Sequence, residues 1–161
     1  LRDRPVTISD ESGLLLETGG GLRNAMPLLA SDPVFTLNTD AVWTGPNPAD
    51  TLRQRWDGDR MEALLLLVPR DTAAGHSGRG DFVVGDDGRI TPGPGAVYTG
   101  FQIIRTDRLA QYPDGPFSMW DIWNDMLARG TMFGATHPGG WCDVGRPESI
   151  AIAEAMLEAA Q

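Results

Sequence analysis

The sequence predicts one α/β domain in which strands and helices alternate along the chain. Its 161 residues, 41% of them hydrophobic, are enough to bury one ordinary core. Ala63 to Val68 is an unbroken apolar run of strand length, which is typical of a strand covered on both faces in a parallel sheet. Ser118, with Asp121 three residues later, and Gly130 bracket a helix that has apolar residues on one surface.

The first part of the chain predicts a strand, then a turn, then a helix. Val6 to Ser9 has the apolar and polar spacing of a strand, and Leu22 to Leu29 has apolar residues at helical spacing. Three consecutive glycines, Gly19 to Gly21, lie between these two signals. We therefore expect the chain to pass from strand to helix through a glycine-rich loop.

The next elements lead to a strand end that carries a carboxylate. Val34 to Asn38 is a strand candidate that ends at Asp40, and we expect this strand to be parallel to its neighbours. Asn47 followed by Pro48 fits a helix N-cap with proline in the first helical position. That helix is expected to reach about Trp56.

The remaining two-thirds of the chain predicts a hairpin, three strands and two helices. The apolar surface of the helix that Ser118 begins is predicted to comprise Trp120, Ile122, Trp123, Met126 and Leu127. The other predicted elements are a hairpin within Asp81 to Ile90 that turns at Gly85 to Gly88, strands at Val97 to Ile104, Met132 to Thr136 and Gly140 to Asp143, and a last helix from Pro147 to Ala160.

Composition excludes several classes of function. The net charge of -9 would repel nucleic-acid phosphates and anionic membranes, so we expect neither partner. The apolar runs are too short to span a bilayer, so we expect neither a membrane span nor a leader. Cys142 is the only cysteine, which excludes an intrachain disulfide and fits a cytoplasmic protein.

Two aspartates are the candidate metal ligands. Asp40 follows a predicted strand, and ligands of open α/β sheets bind at the carboxyl ends of strands. Asp143 ends another short extended segment, just before the last helix. Magnesium needs only one or two protein carboxylates, so this pair suffices if folding brings the two residues together. The alternative for each is turn chemistry, an Asx turn or a helix N-cap.

Other side chains give weaker functional signals. The glycine triplet would let backbone N–H groups approach a nucleotide, but it equally fits a flexible turn with a helix cap. His76 and His137 lack metal-ligand spacing to each other or to Cys142. Trp120 and Trp123 are at helical spacing, which indicates a core position more often than a stacking platform.

Six segments in their order along the chain resemble the sugar-1-phosphate nucleotidyltransferase family: LLETGGGLRNAMPLL, FTLNTD, ALLLLVPR, GRGDF, YTGFQII and WCDVGRPE. The resemblance covers essentially the whole chain. It implies a Rossmann-like sheet with helices on both faces, as in nucleotide-diphospho-sugar transferases. It also implies that residues 1–161 form one nucleotidyltransferase domain without its N-terminal portion, because the family begins with a glycine-rich triphosphate loop and a nearby lysine, and this chain contains neither.

The resemblance also assigns roles to residues. Asp40 and Asp143 would be the catalytic residues and would hold Mg²⁺. Residues matching the nucleobase loop are Glu17, Thr18, Gly19 and Gly20, with Glu17 where the family has glycine. Asn38 belongs to the strand-end motif that includes Asp40. The segments that frame the sugar are matched by Gly80, Tyr98, Thr99 and Gly100, with Tyr98 where many members have asparagine. Trp141 would stand in the pocket wall.

The implied reaction joins a nucleoside triphosphate to a sugar 1-phosphate and releases pyrophosphate. UTP and N-acetylmuramic acid 1-phosphate, in cell-wall recycling, are the implied substrates; GTP with mannose 1-phosphate is the alternative pair. Two competing hypotheses are a non-catalytic sugar-nucleotide-binding domain and a metal-dependent glycosyltransferase. Because all 13 basic residues are arginines, the family's phosphate-binding lysine is missing, and we expect residues 1–161 alone to be inactive.

Overall fold

A computed structural model describes residues 6–160 of the chain, and it confirms an α/β fold. The helices are α1 (Glu17–Ala25), α2 (Pro48–Arg55), α3 (Met119–Arg129) and α4 (Glu148–Ala159), with short 3-10 helices at Met26–Leu28 and Leu109–Gln111. The strands are β1 (Val34–Leu37), β2 (Ala41–Trp43), β3 (Ala63–Val68), β4 (Ala73–Ala74), β5 (Phe82–Val84), β6 (Ile90–Pro92), β7 (Val97–Ile104), β8 (Met132–Thr136) and β9 (Trp141–Asp143).

The main sheet has four strands in the order β1-β7-β3-β8. β7 is antiparallel to both β1 and β3, whereas β8 is parallel to β3. The expectation that the strand at Val34 to Asn38 is parallel to its neighbours is therefore wrong, because β1 pairs with the antiparallel strand β7, which separates it from β3. The strands β1, β3 and β8 still point the same way, so their carboxyl ends lie at one edge of the sheet.

Strand β3 forms the centre of the fold, as its apolar run predicts, and all six of its residues are buried. Alternate leucines enter two different cores. Leu65 and Leu67 pack on the face that α3 covers, and Leu64 and Leu66 pack on the face that α2 covers through Leu52. The helices therefore lie on both faces of the sheet, as the sequence predicts.

Helix α3 shows how local sequence determines an element. Ser118 accepts a hydrogen bond from the backbone N–H of Trp120, and the side chain of Asp121 accepts one from the backbone N–H of Ser118, which completes a capping box. Gly130 ends the helix in the left-handed conformation, with φ 67°. Asn47 caps α2 and Pro48 begins it, also as predicted.

Two predictions for the first part of the chain are wrong. Val6 to Ser9 forms no strand, and Val6 and Ile8 are exposed, because no described strand pairs with this segment. The glycine triplet is not a loop but lies inside α1, which begins five residues earlier than predicted. Two smaller sheets, β2-β9-β4 and the predicted hairpin β5-β6, complete the fold.

None of the helices within residues 6–160 combines the length and the apolarity that crossing a membrane requires.

Candidate functional site

The candidate site lies at the edge of the main sheet where β1, β3 and β8 end. Asp40 follows β1 by three residues and begins the approach to β2. The chain then pairs β2 with β9 in antiparallel register, with Ala41 opposite Asp143. The backbone N–H of Val144 donates to the carbonyl of Asp40 over 2.9 Å, which extends this ladder by one more bond. The fold therefore places the two predicted aspartates side by side.

The carboxylates of Asp40 and Asp143 converge on Gly145. A methyl group placed on Gly145 would lie 3.1 Å from Asp143 Oδ1 and 3.3 Å from Asp40 Oδ2. The backbone N–H of Gly145 donates to Asp143 Oδ1 over 2.8 Å. Glycine at this position therefore leaves open the space beside both carboxylates.

The donor set of this pair fits magnesium. Within residues 6–160, the Asp40 carboxylate and Asp143 Oδ2 have no hydrogen bond or ion-pair partner, so these oxygens are free to bind a cation. No described group of three or more His, Cys, Asp or Glu side chains could hold a metal. Mg²⁺ is bound by one or two carboxylates when water and substrate phosphates supply its other oxygens, and this pair meets that requirement.

A cavity of about 570 Å³ opens beside β1, between α1 and the start of α3. It is lined by Thr18, Leu22, Ala25, Leu29, Phe35, Thr36, Leu37, Asn38, Asp81, Phe82, Tyr98, Gln102, Ser118, Met119, Trp120 and Trp123. Apolar and aromatic walls with a few placed polar groups are typical of small-molecule sites. Asn38 lines the cavity and precedes Asp40 by two residues, which links the cavity to the carboxylate pair along the chain.

A buried polar network forms the floor of the cavity. Gln102, only 1% exposed, accepts a hydrogen bond from Trp123 Nε1 over 3.0 Å and donates to Thr36 Oγ1 over 3.0 Å. Burial raises the pKa of the Tyr98 phenol well above its ordinary value, and a hydrogen bond with Thr36 opposes that shift only in part. Tyr98 is therefore neutral at physiological pH, and the floor is a fixed array of uncharged donors and acceptors.

The predicted nucleobase segment divides into two parts. Thr18 lines the cavity, and its hydroxyl accepts a hydrogen bond from the backbone N–H of Met119. Gly19 and Gly20 are buried, and both donate their N–H groups to the carbonyl of Phe117. A Cβ at Gly19 would lie 2.6 Å from the Phe117 ring, so this glycine serves helix packing. Glu17 has φ 59°, the left-handed conformation that glycine adopts freely.

Among the described residues, the predicted sugar segments contribute one residue, Tyr98, to the lining of the cavity. Gly100 has φ 79°, and a Cβ there would meet the Asn38 side chain at 2.8 Å, so glycine lets Asn38 pack against β7. Thr99 is buried and donates to the carbonyl of Leu66 over 2.7 Å, away from the cavity. Tyr98 reaches the cavity directly. Gly80 adjoins Asp81, which also lines it.

Trp141 lies outside the cavity, in a separate core cluster with Val68 and Val97. His137, which contacts Trp43 edge-on as Trp141 also does, is 2% exposed, and its Nε2 is 3.1 Å from the carbonyl of Thr44. Burial lowers the pKa of His137, so this ring is neutral. Burial and the charge of Asp143 raise the pKa of the Cys142 thiol. The His137 and Cys142 side chains support the strands that carry the site.

The sequence reasoning missed two side chains of the cavity. Asp81 belongs to the GRGDF segment, whose pattern gives this aspartate no role, yet its carboxylate lines the cavity. The helical spacing predicts Trp120 in the core, but it is 40% exposed and forms part of the wall, whereas Trp123 is 5% exposed, as predicted. The sequence does contain one signal of exposure: Trp120 lies in the first turn of α3, directly before the capping residue Asp121.

Sequence comparison finds relatives of known activity. The chain is 36% identical, over 94% of its length, to an N-acetylmuramate alpha-1-phosphate uridylyltransferase of Caulobacter vibrioides. It is 26% identical to the enzyme of the same name from Neisseria meningitidis serogroup B, over 96% of its length. The chain spans 66% and 68% of these two proteins. No protein-family model matches it.

Comparison with solved structures finds the same fold. HddC from Yersinia pseudotuberculosis superposes with a TM-score of 0.68 at 19% identity, covering 91% of this chain and 64% of HddC. The inositol-1-phosphate CTP transferase from T. maritima superposes with a TM-score of 0.65 at 13% identity, covering 89% of this chain and 62% of that protein. HddC has also been crystallised with GMP-PN. At these identities the comparisons support the fold.

Proposed function

Because the chain is a relative of the sugar-1-phosphate nucleotidyltransferases by sequence and by fold, we propose that it forms part of an enzyme that joins a nucleoside triphosphate to a sugar 1-phosphate. The observation that carries this proposal is the convergence of the Asp40 and Asp143 carboxylates on Gly145, two residues along the chain from Asn38, which lines a cavity large enough for a small molecule. UTP and N-acetylmuramic acid 1-phosphate are the substrates we favour, because the relative at 36% identity is named for them.

In the proposed reaction, a phosphate oxygen of the sugar 1-phosphate attacks the α-phosphorus of the triphosphate. The new P–O bond forms as the bond to the β-phosphate breaks, and pyrophosphate leaves with that electron pair. Mg²⁺, when bound to the two aspartates, would neutralise charge that develops on the phosphate oxygens. No side chain becomes covalently attached to a substrate.

This chain's own residues bind and orient the substrates. Asp40 and Asp143 would hold the metal through their free oxygens. Thr18, Asn38 and Tyr98 would contact substrate, because these three line the cavity. Glu17 would contact the nucleobase from the start of α1. Five further residues would hold these side chains in position through backbone packing and hydrogen bonds: Gly19, Gly20, Thr99, Gly100 and Trp141. The arrangement lowers the barrier by positioning and by charge stabilisation.

The test is pyrophosphate release by the complete protein with Mg²⁺. UTP and GTP are each paired with N-acetylmuramic acid 1-phosphate, glucose 1-phosphate and mannose 1-phosphate. Release that is fastest with UTP and the muramate sugar supports the proposal, whereas preference for GTP and mannose 1-phosphate reassigns its substrates. Binding without release for every pair indicates a sugar-nucleotide-binding domain, and transfer from a finished sugar nucleotide indicates a glycosyltransferase.

A further inference from the structure

Asp81 is a carboxylate that faces the cavity and is held in place from three sides. Its backbone N–H donates to the carbonyl of Ala96 over 2.8 Å, and its own carbonyl accepts from the N–H of Gly93 over 3.0 Å. One side-chain oxygen, Oδ2, accepts from the backbone N–H of Tyr98 over 2.8 Å. The carboxylate is therefore oriented before any ligand arrives, and its other oxygen has no hydrogen-bond partner among residues 6–160.

A close backbone contact fixes this orientation further. Gly80 has φ 92°, and a Cβ there would lie only 2.1 Å from the carbonyl oxygen of Gly95. A Cβ at Gly95 would in turn lie 2.5 Å from the carbonyl oxygen of Phe82. Only glycine at positions 80 and 95 permits these two close contacts. The backbone at Gly80 and Phe82, on either side of Asp81, therefore packs directly against the backbone at Gly95. Pre-orientation of this kind reduces the entropy lost on binding.

Aromatic rings stand beside this carboxylate in the cavity wall. Phe82 and Trp120 stack with ring centroids 5.6 Å apart and planes 22° apart. Trp123 meets the edge of Trp120 at 5.1 Å and the ring of Tyr98 at 5.1 Å. Trp120 is 40% exposed, so part of its ring surface remains open to the cavity. An open indole surface near an acceptor suits a ligand that has both apolar C–H groups and hydroxyl donors.

The charge of the cavity decides which part of a substrate it takes. Among the described residues that line it, Asp81 is the one charged side chain, and it is negative. A phosphate group would be repelled here, whereas a hydroxyl group would form a charge-assisted hydrogen bond. Uracil offers one N–H donor flanked by two carbonyl oxygens, and a carboxylate that approached this donor would be repelled by both oxygens. A pyranose ring instead offers several hydroxyl donors.

We propose that Asp81 is a specificity-determining residue for the sugar, whose hydroxyl groups donate to its free oxygen while the ring packs against Trp120. This inference rests on the proposed function and extends it to a residue that the family resemblance does not assign. The sugar then lies between β7 and α3, and its phosphate points toward the carboxylate pair at the sheet edge.

The test compares Michaelis constants of the complete protein for its two substrates. Asp81→Asn keeps an acceptor for the Tyr98 N–H but removes the charge, and it should raise the KM for the sugar 1-phosphate about tenfold or more while leaving the KM for the triphosphate within about twofold. Trp120→Leu, which keeps Asp81, should raise the same constant. Asp86→Asn, an exposed aspartate in the β5–β6 turn, is the matched control and should change neither.

The outcomes separate a sugar site from a nucleobase site. An unchanged KM for the sugar 1-phosphate in Asp81→Asn, or a rise only for the triphosphate, would overturn the proposal and place the nucleobase in this cavity. If the wild-type protein releases no pyrophosphate with any pair, the proposed function fails, and tryptophan fluorescence titrated with the three sugar 1-phosphates tests Asp81 independently. Binding that Asp81→Asn weakens and Asp86→Asn does not would support its role; no binding by the wild type would refute it.

Discussion

The two edges of the main sheet treat their carboxylates in opposite ways. At the amino ends of β3 and β8, Glu62 forms ion pairs with Arg108 Nε at 3.1 Å and Arg129 Nε at 2.8 Å, and it also accepts a hydrogen bond from the Thr131 hydroxyl. At the carboxyl ends, Asp40 and Asp143 face one another, and within residues 6–160 no ion pair involves either of them.

The difference separates a carboxylate whose contacts are complete within the fold from a pair that we propose to be functional. Glu62 joins the loop after β7 to the start of β8, because its two oxygens are used by groups from both. Its contacts are complete without any ligand. The aspartate pair instead lies beside Gly145 with the Asp40 carboxylate and Asp143 Oδ2 unpartnered among residues 6–160, so a cation could complete its contacts. A folded protein tolerates such an arrangement where a ligand completes it.

The largest expected effect falls on the aspartate pair. Asp40→Asn or Asp143→Asn in the complete protein should lower the turnover number by about two to three orders of magnitude, the loss of one strong electrostatic contribution. The free energy of unfolding should change by less than about 0.5 kcal/mol, since neither aspartate takes part in an ion pair among residues 6–160. Pyrophosphate release and urea unfolding measure the two quantities. Near-normal turnover in either variant would remove the metal assignment.

The opposite result is expected at the other edge. Glu62→Gln should lower the free energy of unfolding by about 1 to 2 kcal/mol. This value lies between those of exposed and of buried ion pairs, because the Glu62 side chain is 13% exposed and its arginine partners are more exposed. Turnover should stay within about twofold of the wild type. Asp50→Asn, which breaks the exposed pair with Arg53, is the control and should cost less. Loss of activity without loss of stability would contradict the structural role of Glu62.

The pH dependence of stability sharpens the same contrast. Burial raises the pKa of Glu62, but its hydrogen bonds with Arg129 and Thr131 and the charges of Arg129 and Arg108 together lower it below the ordinary value of 4.5. A carboxylate with a depressed pKa stabilises the fold above its unfolded pKa, and it loses that contribution as pH falls through the folded pKa. The difference in the free energy of unfolding between wild type and Glu62→Gln should therefore be largest above about pH 5 and should decrease below about pH 4. A gap independent of pH from about 3 to 7 would show that charge is not the cause.

The smallest effect concerns the metal itself. Mg²⁺ at about ten times its dissociation constant should raise the free energy of unfolding by about 1.4 kcal/mol if it binds only the folded protein. The increase should disappear in Asp143→Asn and persist in Glu62→Gln. Unfolding is measured at constant ionic strength with and without MgCl₂. An increase that survives in Asp143→Asn would place the cation elsewhere.

The elements that could be predicted from the sequence are those with local causes. The capping box of Ser118 and Asp121, the Asn47-Pro48 helix start and the apolar run of β3 each specify an element within a few residues, and all three are confirmed. Val6 to Ser9 has the spacing of a strand but no described partner, and a strand is stable only when it is paired.

Errors arose where distant residues decide the structure. Gly19 and Gly20 look like a loop, but Phe117, far along the chain, packs on them and accepts their N–H groups, which makes them part of a helix. The direction of β7 follows from the hairpin and connections that precede it, and its own residues do not reveal it. Asp81 was missed because one aspartate in a loop has no signal until Tyr98 and Trp120 surround it.

The pairing of β2 with β9 limits how the loop before β9 can change in length. Successive residues of a strand face opposite sides, so a deletion of one residue between His137 and Gly140 that shifted the register would place Val144 beside Ala41 and move Asp143 opposite Val42. A two-residue change would keep the facing side but displace the carboxylate by about 7 Å along the strand. Homologues that keep this reaction should therefore vary in the length of other connections, such as the β5–β6 turn, and hold this one constant.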